Sequence, residues 1–257
     1  METNVRKVIF VPILHSEADF GRLSRKIVDR YKMILGEEKW EKRQRMLSSF
    51  WKKISDYFAD KDVSGMRIYQ DGLIVGEELG KEIVWKAAEA GSLNYKLIKH
   101  LIMRGAMIEK TEDIELIKTE RDYIVKMITP KSPFTRLVTR FQYTVIKDRL
   151  LEKRDTFIAN QINHTLKEGE TGILFLGARH NVLPKLSKDI VVEKLLERED
   201  IGSPKRSRSE QWQENFLCKL MSGELDVYGD AFQKSDKVKS CVDTWYATSV
   251  QLLSSVD

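Results

Sequence analysis

The chain is poor in the residues that build stapled or metal-clustered folds. Its two cysteines, Cys218 and Cys241, both fall in the last fifth of 257 residues, which excludes a disulfide framework and a cysteine-based zinc cluster and reads as reduced thiols. It has four histidines and no His-Glu-x-x-His pair. No stretch reaches the roughly 20 apolar residues that span a bilayer. The apolar run Val8 to Leu14 is interrupted by Pro12 and followed by no small-residue cleavage site, so it does not read as a signal peptide. These absences lead to the expectation of a soluble, cytoplasmic protein with no membrane partner. Internal repeats and long low-complexity tracts are missing too.

Ordinary globular composition is what remains: 42% hydrophobic, 32% charged and mixed in sign, net charge +5. The basic excess is uneven, since residues 22–53 hold eleven Lys or Arg against four Asp or Glu. A basic segment can meet an anionic partner, but no nucleic-acid motif accompanies it and a solvated helix face explains it equally. Nucleic acid is therefore not expected as a partner.

Hydrophobic periodicity gives alternating strands and helices. Strands are expected over Lys7–His15, Met66–Tyr69, Ala106–Glu109, the buried run Gly172–Leu176 (GILFL) and Ile190–Leu196. Between them the spacing predicts helices over Phe20–Gly36, Glu37–Phe58, Ile83–Ala90, Leu93–Ile102, Ile114–Ile128 and a long one from Pro133 to Lys167. Such alternation predicts an α/β fold with a mainly parallel or mixed central sheet flanked by helices. Residues 1–200 should form this domain. Residues 201–257 should form a linker (GSPKRSRS) and a small helical C-terminal appendage, with Trp212, Phe216, Leu217 and Leu220 at helical spacing.

Four of the strands run into polar groups: His15, Glu17 and Asp19; Gln70 and Asp71; Thr111, Glu112 and Asp113; Arg179 and His180. In a parallel sheet these ends share one edge, where open α/β folds bind ligands. Two imidazoles and several carboxylates there suit a divalent metal (Mn, Fe, Co or Zn), with His15, Glu17 and His180 as the expected ligands. The bland alternative is that both histidines are hydrogen-bonded edge residues. Asp71 is either a general base or ligand, or the start of an Asp-Gly turn. Glu112 is either a site carboxylate or part of a helix cap. Glu120 and Arg154 each interrupt an apolar helical stripe, where a charge must be paired or reach water. Arg154 thus holds an anion, partners a site carboxylate or forms a structural ion pair. Arg179, Glu112 and Glu120 are the candidates for substrate contact.

The run from Arg154-Asp155 through GETGILFLGARH resembles the TraB/PrgY and Tiki group of the ChaN-like and erythromycin-esterase-like superfamily. Gly177 and His180 match that group's Gly-x-x-His at the end of a buried strand, and Arg154-Asp155 match its helix motif. Its earlier Gly-x-x-His corresponds here to Pro12-Ile-Leu-His15, with proline in place of glycine, and its glutamate after the second strand falls near Gln70-Asp71. The IYQDGL and RGAMIEKTED segments also look like those of prokaryotic proteins of uncharacterised activity. The Tiki branch implies metal-dependent peptide hydrolysis; other branches imply haem binding or ester hydrolysis.

The function expected from these readings is a metal-dependent hydrolase of a small or peptide-like substrate. His15, His180, Asp71 and Arg154 would carry the chemistry. The alternative is a non-catalytic ligand-binding or regulatory protein that uses the same pocket.

Overall fold

The computed structural model describes residues 5–19, 28–29, 32–33, 36–128, 132–177 and 179–195. Most of the helix expected over Phe20–Gly36, and all of the linker and appendage expected over 201–257, lie outside the described residues.

Five short segments rich in β-branched residues form the strands: β1 (Arg6–Ile13), β2 (Arg67–Gln70), β3 (Met107–Glu109), β4 (Thr171–Gly177) and β5 (Ile190–Lys194). All pair in parallel, in the order β3-β2-β4-β1-β5. The expected α/β architecture is present, and the sheet is wholly parallel. β4 lies at its centre, with Gly172 to Leu176 buried, which is why this run carries no polar alternation.

Two helical layers cover the sheet. Helices α1 (Glu37–Ala59), α2 (Glu77–Glu89) and α3 (Leu93–Met103) lie on one face. There Phe50, Trp51, Ile54 and Phe58 of α1 meet Ile9, Val11, Ile68 and Phe175. Their spacing by three and four residues is the apolar stripe of an amphipathic helix. The opposite face is covered by the last turns of α5 (Pro133–Thr165), whose Ile158, Ala159 and Ile162 pack on Val8, Tyr69 and Leu174. Helix α4 (Ile114–Ile128) pairs with the first half of α5 around Ile74, Ile117 and Tyr143.

Helix α2 begins at Glu77, six residues before the expected Ile83. Its first turns (EELGKE) carry few apolar residues, so periodicity misses them, and Gly80 packs there against Ile108. Helix α5 ends at Thr165, two residues before the expected end. Ser132 caps it by accepting a hydrogen bond from the Thr135 amide, and Pro133 occupies the first turn, where its missing N–H costs nothing.

Crossover handedness sets where a crevice opens. The chain leaves β2 over the α2/α3 face toward β3, whereas it leaves β4 over the α5 face toward β5. The two connections part between neighbouring strands β2 and β4, the kind of switch point at which doubly wound sheets bind ligands. Among the described residues, no helix is long and apolar enough to cross a membrane.

Candidate functional site

The carboxyl ends of β3, β2, β4 and β1 stand side by side and carry, in that order, Glu112, Asp71, His180 and His15. Asp71 is held by its backbone. Its amide donates to Phe175 O of β4 at 3.0 Å, and the next turn closes through Leu73 N to Gln70 O at 3.1 Å. Gly72 takes a φ of +81° in that turn, a left-handed value that glycine adopts without strain. Asp71 is therefore both a turn residue and a carboxylate aimed toward the end of β4: Oδ2 accepts the Gly177 amide at 3.2 Å and lies 3.4 Å from His180 Nε2.

The two alternatives for the 111–113 segment divide between neighbours. Asp113 Oδ1 accepts the amides of Glu115 and Leu116 and caps α4. Glu112 turns inward and is fully buried. Two bonds fix the bend, the Thr111 and Glu112 amides both donating to Leu73 O at 2.9 Å.

Arg154 enters from α5 and pairs with three carboxylates. Nε and Nη2 both donate to Glu112 Oε1, at 3.0 and 2.5 Å. Nη2 also reaches Asp71 Oδ1 at 3.0 Å, and Nη1 reaches Glu120 Oε2 at 2.7 Å. Glu120 is braced in turn by the Tyr143 hydroxyl, which donates to Oε1 at 3.0 Å. Both charges that interrupt apolar stripes thus turn toward this cluster and pair with each other.

Asp155, the next residue of α5, grips His180. Its Oδ1 lies 2.5 Å from Nδ1, and Oδ2 accepts the Asn181 amide at 2.9 Å. With Asp155 on Nδ1, the other ring nitrogen faces Asp71. From sequence Asp155 stands only as half of the Arg154-Asp155 motif, with no role of its own. Its spacing is nonetheless a signal, because it stands three, four and seven residues before Ile158, Ala159 and Ile162 on a stripe that packs against the sheet.

Electrostatics follow from this crowding. Burial alone would push the His180 proton affinity down, but the Asp71 charge and the contacts to Asp155 and Asp71 outweigh it and raise the pKa to about 10. For Asp71, burial would act upward, and the His180 and Arg154 charges hold its carboxyl well below the usual carboxylate range. Glu112 moves the other way: its burial is deep enough to leave it above the ordinary value despite Arg154. Its Oε2 is buried and has no hydrogen-bond partner.

Asp71, Glu112 and His180 each offer one ligand atom, and these atoms lie within 4.8 Å of one another, so the three could hold a metal ion. Four carboxylates (Asp71, Glu112, Glu120, Asp155) surround Arg154 and His180, an excess of negative charge that a divalent cation would offset. The buried Glu112 Oε2 without a partner is an orphaned polar atom of the kind a bound cation satisfies. This trio shares only His180 with the ligand set expected from sequence. Glu17 instead accepts from Gln44 Nε2 at 3.1 Å.

His15 lies 3.6 Å from Asp19 Oδ2 through Nδ1, with its side chain 40% exposed. Withdrawal from water lowers its proton affinity, but Asp19 and the Asp71 charge more than restore it and leave the pKa above the ordinary histidine value. Asp19 is fixed by the Ser16 amide at 2.6 Å, and the His15 carbonyl accepts from Arg43 at 3.0 Å. Arg179 is exposed beside His180. Set against known proteins, the chain matches no protein-family model, no curated protein and no solved structure, so the reading of this site rests on its geometry.

Proposed function

We propose that the chain is a metal-dependent hydrolase acting on a small or peptide-like substrate in the crevice between β2 and β4. The observation that carries this reading is the convergence of Asp71, Glu112 and His180, whose ligand atoms lie within 4.8 Å of one another, with one buried Glu112 oxygen left without a hydrogen-bond partner. One nitrogen and two carboxylate oxygens suit Mn, Fe, Co or Zn. The Asp155 contact to His180 Nδ1 is the outer carboxylate that orients many metal-binding imidazoles. Such an ion would supply Lewis acidity to a water and to the substrate's carbonyl or phosphoryl oxygen.

The remaining groups have separable tasks. Arg154 holds Asp71 and Glu112 in place and keeps two buried carboxylates ionisable side by side. Glu120 and Tyr143 fix the guanidinium. His15 sits one strand away from His180 on the same edge, partly open to water and backed by Asp19, where it can give a proton to a leaving group. Arg179 stands exposed near the rim as a contact for the substrate.

The test is calorimetric titration of chelator-treated protein with manganese, cobalt and zinc. One site per chain is expected in the wild type, and binding lost in Asp71→Asn and His180→Ala. His15→Gln should keep the metal and lose turnover in a screen of esters and short peptides. A folded wild-type chain that binds none of the three metals overturns the proposal.

One observation favours a second, non-catalytic reading. His180 already lies between Asp71 at 3.4 Å and Asp155 at 2.5 Å, so the cluster can also partner itself without a metal and serve as a binding or regulatory centre. Metal content separates the two.

A further inference from the structure

We propose that residues 210–221 of this same chain dock as a helix on the outer face of the first half of α5. That half is apolar on two opposite sides. Thr139, Tyr143 and Leu150 are buried, and Tyr143 packs with Ile117 of α4. On the far side Phe134, Leu137, Val138, Phe141 and Val145 are exposed by 73, 64, 38, 71 and 65%. At about 100° per residue these five fall within one narrow stripe of the helix, roughly opposite the buried side. An exposed aliphatic and aromatic stripe of this length is rare on a free surface and marks a contact.

Three observations choose the occupant. The first is pattern: Trp212, Phe216 and Leu220 recur every four residues, with Leu217 and Met221 beside them, so the segment 210–221 has an apolar face of its own. The α5 stripe spans twelve residues, about 17 Å of helix, and the face from Trp212 to Met221 spans ten, about 14 Å. The second is charge. Residues 133–147 contain Arg136, Arg140 and Lys147 and no carboxylate, whereas 210–221 contain Glu210 and Glu214 against Lys219, with Glu224, Asp226 and Asp230 following close behind. A second copy of α5 would bring like charges together; the acidic segment brings opposite ones.

The third is reach. Strand β5 ends at Lys194, on the sheet edge from which α4 and the first half of α5 rise about 30 Å. The fifteen or so residues from there to Glu210 have a typical end-to-end distance of about 20 Å, enough to cross the few strands between them. Tethering also raises the local concentration of the segment far above that of any free partner.

Hydrogen exchange on the full chain at low micromolar concentration tests this, beside two full-length variants, Leu137→Glu/Phe141→Glu and Trp212→Ala/Phe216→Ala. None of the four belongs to the Asp71, Glu112 and His180 trio, and retained protection in β4 reports that each variant is folded. The wild type should be monomeric by sedimentation, with amides of 210–221 exchanging at least about tenfold slower than a free chain. Both variants should lose that protection. Free-chain exchange at 210–221 in the wild type overturns the proposal. So does protection that appears only with dimer formation, and so does α5 protection that anionic vesicles provide while 210–221 stays unprotected.

Discussion

At the scale of single residues, the site is governed by the cost of burying Arg154. Arg154 is 9% exposed and its partner Glu112 is fully buried. Removing one partner of such a set is costly because the other charges stay behind without compensation. Arg154→Met keeps the apolar stem of the side chain and deletes the charge, leaving Asp71, Glu112 and Glu120 facing one another. It should destabilise the fold by about 3–5 kcal/mol. Glu112→Gln removes a carboxylate that burial already pushes upward, and Arg154 retains Asp71 and Glu120, so about 1–2 kcal/mol is expected. Urea denaturation of both variants at neutral pH checks the order. If Glu112→Gln proved the worse, Glu112 would be the anchor of the cluster and Arg154 its adjunct.

At the scale of elements, the strands and long helices were legible because their apolar spacing is strong, and what escaped was set by tertiary contact. Pro12 is an example. A proline inside a strand flanked on both sides should break a ladder. Here Leu195 N bonds to Phe10 O as β5 runs out, and Pro12, two residues on, points its nitrogen to the same side, past the end of β5. It keeps its place opposite Leu176 of β4 and forfeits no bond. The early start of α2 has a similar origin. Gly76 sits where a Cβ would lie 2.8 Å from Lys110 N and 3.2 Å from Ile108 O, so only glycine lets α2 begin against β3. Gly76→Ala must push backbone, not a flexible side chain, and should cost about 2–3 kcal/mol. Because β3 leads directly into Thr111 and Glu112, the same variant should weaken metal uptake. Thermal melts and the metal titration together test this; an unchanged Tm would show that β3 yields freely.

At the scale of the molecule, the sheet order assembles the site, and sequence alone could not supply that order. Polar strand ends were visible one by one, and their sharing of one edge follows from a parallel sheet. Which ends become neighbours depends on β4 inserting between β2 and β1, and no local pattern encodes that. The insertion brings Asp71 against His180 and puts Glu112 one strand further, whereas Glu17 turns to Gln44 of α1. Coupling across strands in turn ties the stability of the whole fold to pH. His180 has its folded pKa raised from 6.5 to about 10, so its stabilising effect is complete below about pH 6.5 and is lost as pH climbs toward 10. Asp71 is depressed from 3.8, so its effect is present above that pH and is lost in acid. Metal-free protein should therefore be most stable at mildly acidic pH and lose about 3–5 kcal/mol between pH 6.5 and 10. Urea denaturation across that range measures the slope, and His180→Gln, which cannot take up the proton, should flatten it. A wild type as stable at pH 10 as at pH 6 would mean that the imidazole is neutral between its two aspartates. The Asp71–His180 contact would then be a neutral hydrogen bond, with Arg154 left as the main counter-charge to Asp71.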